Sequence, residues 1–86
     1  MNINLDDFEE SLIGLTKLSD AERGEKYLVT RDDDALNVYE HLSIGDIEDA
    51  LDECFERFHL RAGCSEEGRL RAILERVCNL AIHQDR

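Results

Sequence analysis

Apolar residues recur at alternating intervals of three and four along most of this chain, and that spacing marks out helices. Leu5, Phe8, Leu12 and Leu15 hold it first, which places them on one face of a helix. Asn4 followed by Asp7 is a start signal, so a first helix is expected over about residues 5–17. Gly14 inside it costs up to ~1 kcal/mol against alanine and is read as an ordinary small residue.

The stretch 19–42 is more ambiguous. Ser19 with Glu22 repeats the capping pattern, whereas Gly24 and the β-prone run Tyr27, Leu28, Val29, Thr30 weaken a helix there. Ala35, Val38, Tyr39 and Leu42 match i, i+3, i+4, i+7, and Thr30 with Asp32, Asp33 and Asp34 ahead of them resembles a capped, acid-rich first turn. A helix is favoured. The alternative is a short hairpin at about 27–39, pairing residues 27–30 with 36–39 across the Arg-Asp-Asp-Asp run.

From Ser43 to Leu60 the pattern predicts one amphipathic helix, with Ile44, Ile47, Leu51, Cys54 and Phe58 as its seam and Phe55 beside them. Ser43 as cap and Asp46 three residues on supply its start. A short link follows over residues 61–65, with Gly63 suited to the left-handed conformation that commonly ends a helix. Ser65 then caps a last helix whose stripe is Leu70, Ile73, Leu74, Val77 and Ala81. Cys78, Leu80 and Ile82 add apolar residues off that stripe, which implies either a central place in the core or a contact between two copies.

These elements describe a mainly α fold, a small single-domain bundle of four to five helices spanning residues 1–86. A chain this long buries about two-thirds of its unfolded surface, enough for a modest core. It contains no internal repeat and no Pro-rich linker.

Charge changes the picture most. Ten basic against twenty-one acidic residues give a net charge of -11, which opposes direct binding to nucleic acid or to an anionic membrane and makes a basic protein surface the natural complement. The charge is uneven: residues 1–56 hold seventeen acids and four bases, and residues 57–86 hold six arginines and four acids. The arginines of the last helix therefore either pair with acidic helices inside the molecule or serve a separate contact.

The densest run is the outer face of the 43–60 segment, with Asp46, Glu48, Asp49, Asp52, Glu53 and Glu56, and Arg57 as its basic neighbour. At a rise of ~1.5 Å per residue, six carboxylates over eleven residues amount to one charge per ~2.7 Å, against one per ~1.7 Å of duplex DNA. Such a face can imitate a phosphate backbone. The expected function is a small acidic protein-binding inhibitor that occupies a nucleic-acid-binding surface, analogous in charge alone to phage anti-restriction and anti-CRISPR proteins. Asp46, Asp49, Asp52, Glu53 and Glu56 are its expected contacts, with Asp32, Asp33 and Asp34 as a second patch. The alternative is a helical adaptor or assembly subunit acting through apolar contacts, in which a homodimer would use Leu80 and Ile82 with Arg69 and Arg76.

Signals for chemistry are weak. The Asp32–Asp34 triplet has Leu36 where a calcium loop needs an oxygen ligand. Cys54, His59, Cys64, Cys78 and His83 are spaced five apart within each cluster, so neighbours on one helix diverge by about 140° and offer zinc no shared face. Cys64, near Arg61 and a predicted helix start, has the best case for a reactive thiol, but Glu66 and Glu67 oppose it and it lacks an assignable base. No metal, cofactor or enzymatic activity is expected. With three cysteines, no basic start followed by an apolar run, and no apolar stretch near ~18 residues, the expected compartment is the cytoplasm.

Overall fold

The computed structural model describes residues 4–19, 21–23, 25 and 33–83. It is mainly helical, without a strand among those residues. Four helices are delimited: α1, Leu5–Thr16; α2, Asp33–Ser43; α3, Ile47–Arg57; and α4, Glu67–His83. Residues 21–23 and 25 are helical as well.

The first helix begins as its sequence indicates. The Asn4 side chain accepts from the amides of Asp6 and Asp7 at 3.1 and 3.2 Å, satisfying two first-turn donors. Ser19 and Glu22 form a reciprocal capping box: the Ser19 amide donates to Glu22 Oε1 and the Glu22 amide donates to Ser19 Oγ, both at 3.2 Å. These bonds from Ser19 hold the Glu22 carboxyl below its ordinary range. Arg23 then reaches back, donating to the carbonyls of Leu15 and Leu18 at the end of α1 and lying 4.9 Å over the Tyr39 ring.

The hairpin alternative fails because Leu36 to Tyr39 lie inside α2. Ala35, Val38, Tyr39 and Leu42 are all buried, as a helical stripe requires. The 27–30 run, Thr30 and Asp32 lie outside the described residues.

The single helix expected from Ser43 to Leu60 is broken at its start. Ser43 ends α2, its hydroxyl donating to the Glu40 carbonyl at 2.8 Å, and does not open the next helix. Gly45 takes φ +82° and donates to the Leu42 carbonyl, while the Asp46 amide donates to the His41 carbonyl. This is a Schellman ending with Gly45 in the left-handed position. Asp46 completes that ending and caps α3, accepting from the Asp49 amide at 3.2 Å. Ile44, expected in the seam, is instead 76% exposed.

The other end of α3 repeats the device with a different residue. His59, at φ 56°, takes the left-handed position expected of Gly63, and the Leu60 amide donates to the Phe55 carbonyl. Leu60 and Phe58 pack against the core. Gly63, at φ 88°, belongs to the link that follows. The first helical bond of α4 runs from the Leu70 amide to the Glu66 carbonyl, so its cap is Glu66 and not Ser65.

The buried residues form one cluster drawn from all four helices, with Leu12, Val38, Leu42, Cys54, Leu70, Leu74 and Val77 fully enclosed. Helix α4 packs against α1, α2 and α3. Its breadth of apolar residues therefore reflects a central place. Cys78 belongs to the buried stripe, one turn after Leu74, and its thiol donates to the Leu42 carbonyl at 3.4 Å. Burial pushes that thiol above its ordinary range. Phe8 and Phe58 meet edge to face at 5.1 Å, tying α1 to the end of α3.

Candidate protein-binding face

Helix α3 turns Ala50, Leu51 and Cys54 into the core, and this fixes what its other side presents. At about 100° per residue, Glu48, Asp49, Asp52, Glu53 and Glu56 fan over about 140° of the opposite surface. The acidic face inferred from the sequence therefore exists as one continuous surface. Its carboxylates are not equivalent.

Two at its margins are neutralised within the molecule. Arg71 of α4 forks onto Glu48, Nη1 to Oε1 at 2.6 Å and Nη2 to Oε2 at 3.4 Å, and this holds the Glu48 carboxyl below its ordinary range. Arg57 lies 3.1 Å from Glu53 Oε1 one turn away. Asp46 is occupied with its capping role. Asp49, Asp52 and Glu56 remain exposed and form no salt bridge with Arg or Lys among the described residues. Hydrogen bonding to Asp46 and repulsion from its carboxylate push the Asp49 carboxyl above its ordinary range, with His41 opposing weakly.

The charge array is thus sparser than the sequence suggests. Three unpaired carboxylates over the eight residues 49–56 give about one charge per ~4 Å of rise, close to the ~3.4 Å spacing of a single strand in duplex DNA. Asp33 and Asp34 are the first two residues of α2. Asp32 lies outside the described residues.

The arginines of α4 pair across the surface with acids of neighbouring helices. Arg69 pairs with Asp6 of α1, Arg76 lies 3.7 Å from Glu9 of α1, and Arg71 holds Glu48 of α3. The basic balance of the C-terminal third is spent largely on these pairs. Leu80 shares the face of Arg69 and Arg76 and is half-buried, whereas Ile82, about 200° away around the helix, is 44% exposed. The four residues expected at a dimer contact therefore do not form one patch.

Ile82 has a different neighbour. Its Cδ1 lies 3.5 Å from where a Cβ would stand on Gly45, the residue after the exposed Ile44. Sequence patterning missed this corner because Ile44 continues the α3 spacing across the break. Gly45 followed by Asp46, a left-handed stop and then a cap, was the signal that could have found it.

Other groups offer little chemistry. The Glu66 carboxyl is held below its ordinary range by its own backbone amide and by the Cys64 and Ser65 side chains. Cys64 thus serves as a hydrogen-bond donor to a carboxylate. Among the described residues no group of three or more His, Cys, Asp or Glu could hold a metal ion, and no helix is long and apolar enough to cross a membrane. No protein family model matches the sequence, and comparison with curated proteins and with solved structures finds no significant match.

Proposed function

We propose that the protein is a small acidic inhibitor that binds a basic, nucleic-acid-binding surface of another protein through the outer face of α3. The observation that supports this reading is the set Asp49, Asp52 and Glu56, three exposed carboxylates on one helical face without an Arg or Lys salt-bridge partner among the described residues. A fixed array of this kind meets an Arg- and Lys-rich groove with its charges already in place, and long-range attraction raises the encounter rate at low salt. Glu48 and Glu53 are tied to arginines and contribute less.

The test is a pull-down of tagged protein from host lysate, eluted in salt steps and identified by mass spectrometry, beside the Asp49→Lys, Asp52→Lys, Glu56→Lys variant. A nucleic-acid-binding protein that elutes at moderate salt and is missed by the variant is the expected result. A second reading, a helical adaptor acting through apolar contacts, draws on the exposure of Ile44 and Ile82. A partner retained through high salt by both forms would select it and set aside charge mimicry.

A further inference from the structure

At the corner where α2 gives way to α3, Ile44 is 76% exposed, and Ile82 of α4, 44% exposed, places its Cδ1 3.5 Å from the Cβ position of the next residue, Gly45. They are the exposed large apolar residues of the described chain. The fold does not require an isoleucine at position 44, since the Schellman ending is made by backbone bonds and by the left-handed Gly45. An aliphatic side chain held out in water at that place serves no internal packing.

The immediate surroundings are acidic. Asp46 is two residues from Ile44, and Asp49, one turn on, begins the unpaired row that continues to Asp52 and Glu56. We propose that Ile44 and Ile82 form an apolar anchor point for a helical segment of a protein partner that carries an aliphatic side chain flanked by Lys and Arg. The row of carboxylates draws the segment in, and the isoleucine pair fixes its register, as a buried anchor does at the centre of an interface. This rests on the proposed acidic binding face and adds to it the chemistry of the occupant.

Charge complementarity selects that occupant over a second copy of this chain. Pairing two copies through the corner would set Asp46 and Asp49 of each against the same residues of the other, in a chain of net charge -11. Within one copy, hydrogen bonding to Asp46 and repulsion from its carboxylate already push the Asp49 carboxyl up.

Two synthetic helical peptides of identical Lys and Arg content test the proposal, one with leucines on its uncharged face and one with glutamines there. By isothermal titration the leucine peptide is expected to bind about tenfold or more tighter than the glutamine peptide, the equivalent of burying roughly one large aliphatic side chain. Ile44→Ser with Ile82→Ser should erase that difference and leave glutamine-peptide affinity unchanged. Neither side chain belongs to the buried core, so an unchanged circular dichroism spectrum is expected for the double variant, with a melting temperature lowered only slightly by the partly covered Ile82. Equal affinity of the two peptides, or a leucine preference that survives the double substitution, overturns the anchor while leaving the acidic face standing. If neither peptide binds, or if Asp49→Asn, Asp52→Asn and Glu56→Gln leave both affinities unchanged, the acidic-face reading itself fails. A wild-type dimer by sedimentation that the isoleucine substitutions dissociate would assign the corner to self-association instead.

Discussion

Two residues with left-handed backbones make opposite predictions. At Gly45, φ +82°, a side chain would find room, its Cβ in ordinary contact with Ile82 Cδ1, but any L-residue there is strained. Gly45→Ala is therefore expected to lower stability by about 1 kcal/mol in urea denaturation, from backbone conformation alone. His59 occupies the equivalent position after α3 at φ 56°. His59→Gly should raise stability by about 0.5–1 kcal/mol, and a loss of stability would show that the imidazole makes a contact outweighing the strain. Asp46, between these positions, was legible from the sequence as an acid near a helix start but not as the cap itself. Asp46→Ala should cost about 1 kcal/mol through the lost bond to the Asp49 amide. That loss would be mistaken for a binding effect in any variant set that included position 46.

Among the elements, α4 supplies the most buried residues, and Leu74 is fully enclosed within it. Leu74→Ala is expected to cost about 2–5 kcal/mol, a large share of the roughly 5–15 kcal/mol total stability of a small domain, with an earlier denaturation midpoint and an unchanged slope. The α1, α2 and α4 stripes could be read directly, Thr16 of α1 and Cys78 of α4 apart, because the rest of each buried set is the three-four set of apolar residues. The α2–α3 break could not, since Ile44, Ile47 and Leu51 keep helical spacing across it and Ser43 is itself a good cap residue. The acidic face of α3 was likewise legible, being a property of one helix. Its division into paired and unpaired carboxylates was not, because Glu48 meets Arg71 across twenty-three residues of sequence through tertiary packing. Acid titration should expose that division. Glu48, held low by Arg71, contributes stability that is present above the ordinary glutamate range and is lost as pH falls through its lowered folded value. Asp49, held high by Asp46, works in the other direction: its ionisation opposes folding above its raised folded value, and that penalty disappears on protonation. Asp49→Asn should consequently stabilise the protein at neutral pH, and the gain should vanish in acid. An unchanged melting temperature at pH 7 would mean that the Asp46–Asp49 repulsion is already relieved in solution.

At the scale of the whole molecule, two electrostatic effects of opposite sign compete, and salt decides between them. The α4 arginines hold carboxylates of α1 and α3 in exposed pairs, which are worth little in water and weaken further on screening. Against these stands the self-repulsion of a chain with net charge -11, concentrated on the α3 face. The screening length falls from about 30 Å at 0.01 M to about 8 Å at 0.15 M ionic strength. Across that range repulsion between charges on different helices is largely removed, whereas a bidentate contact such as Arg71 to Glu48 is shorter than either length and is weakened less. The melting temperature is therefore expected to rise with sodium chloride up to about 0.15 M and then level off. The Asp49→Asn, Asp52→Asn, Glu56→Gln variant should start higher and rise less. A melting temperature that fell with salt would place the inter-helix pairs above the self-repulsion, and the unpaired acids of α3 would then carry no cost for a basic partner to relieve. If it rises as expected, the same screening that stabilises the free protein must weaken its capture of a basic surface, so stability and affinity should move in opposite directions along one salt titration.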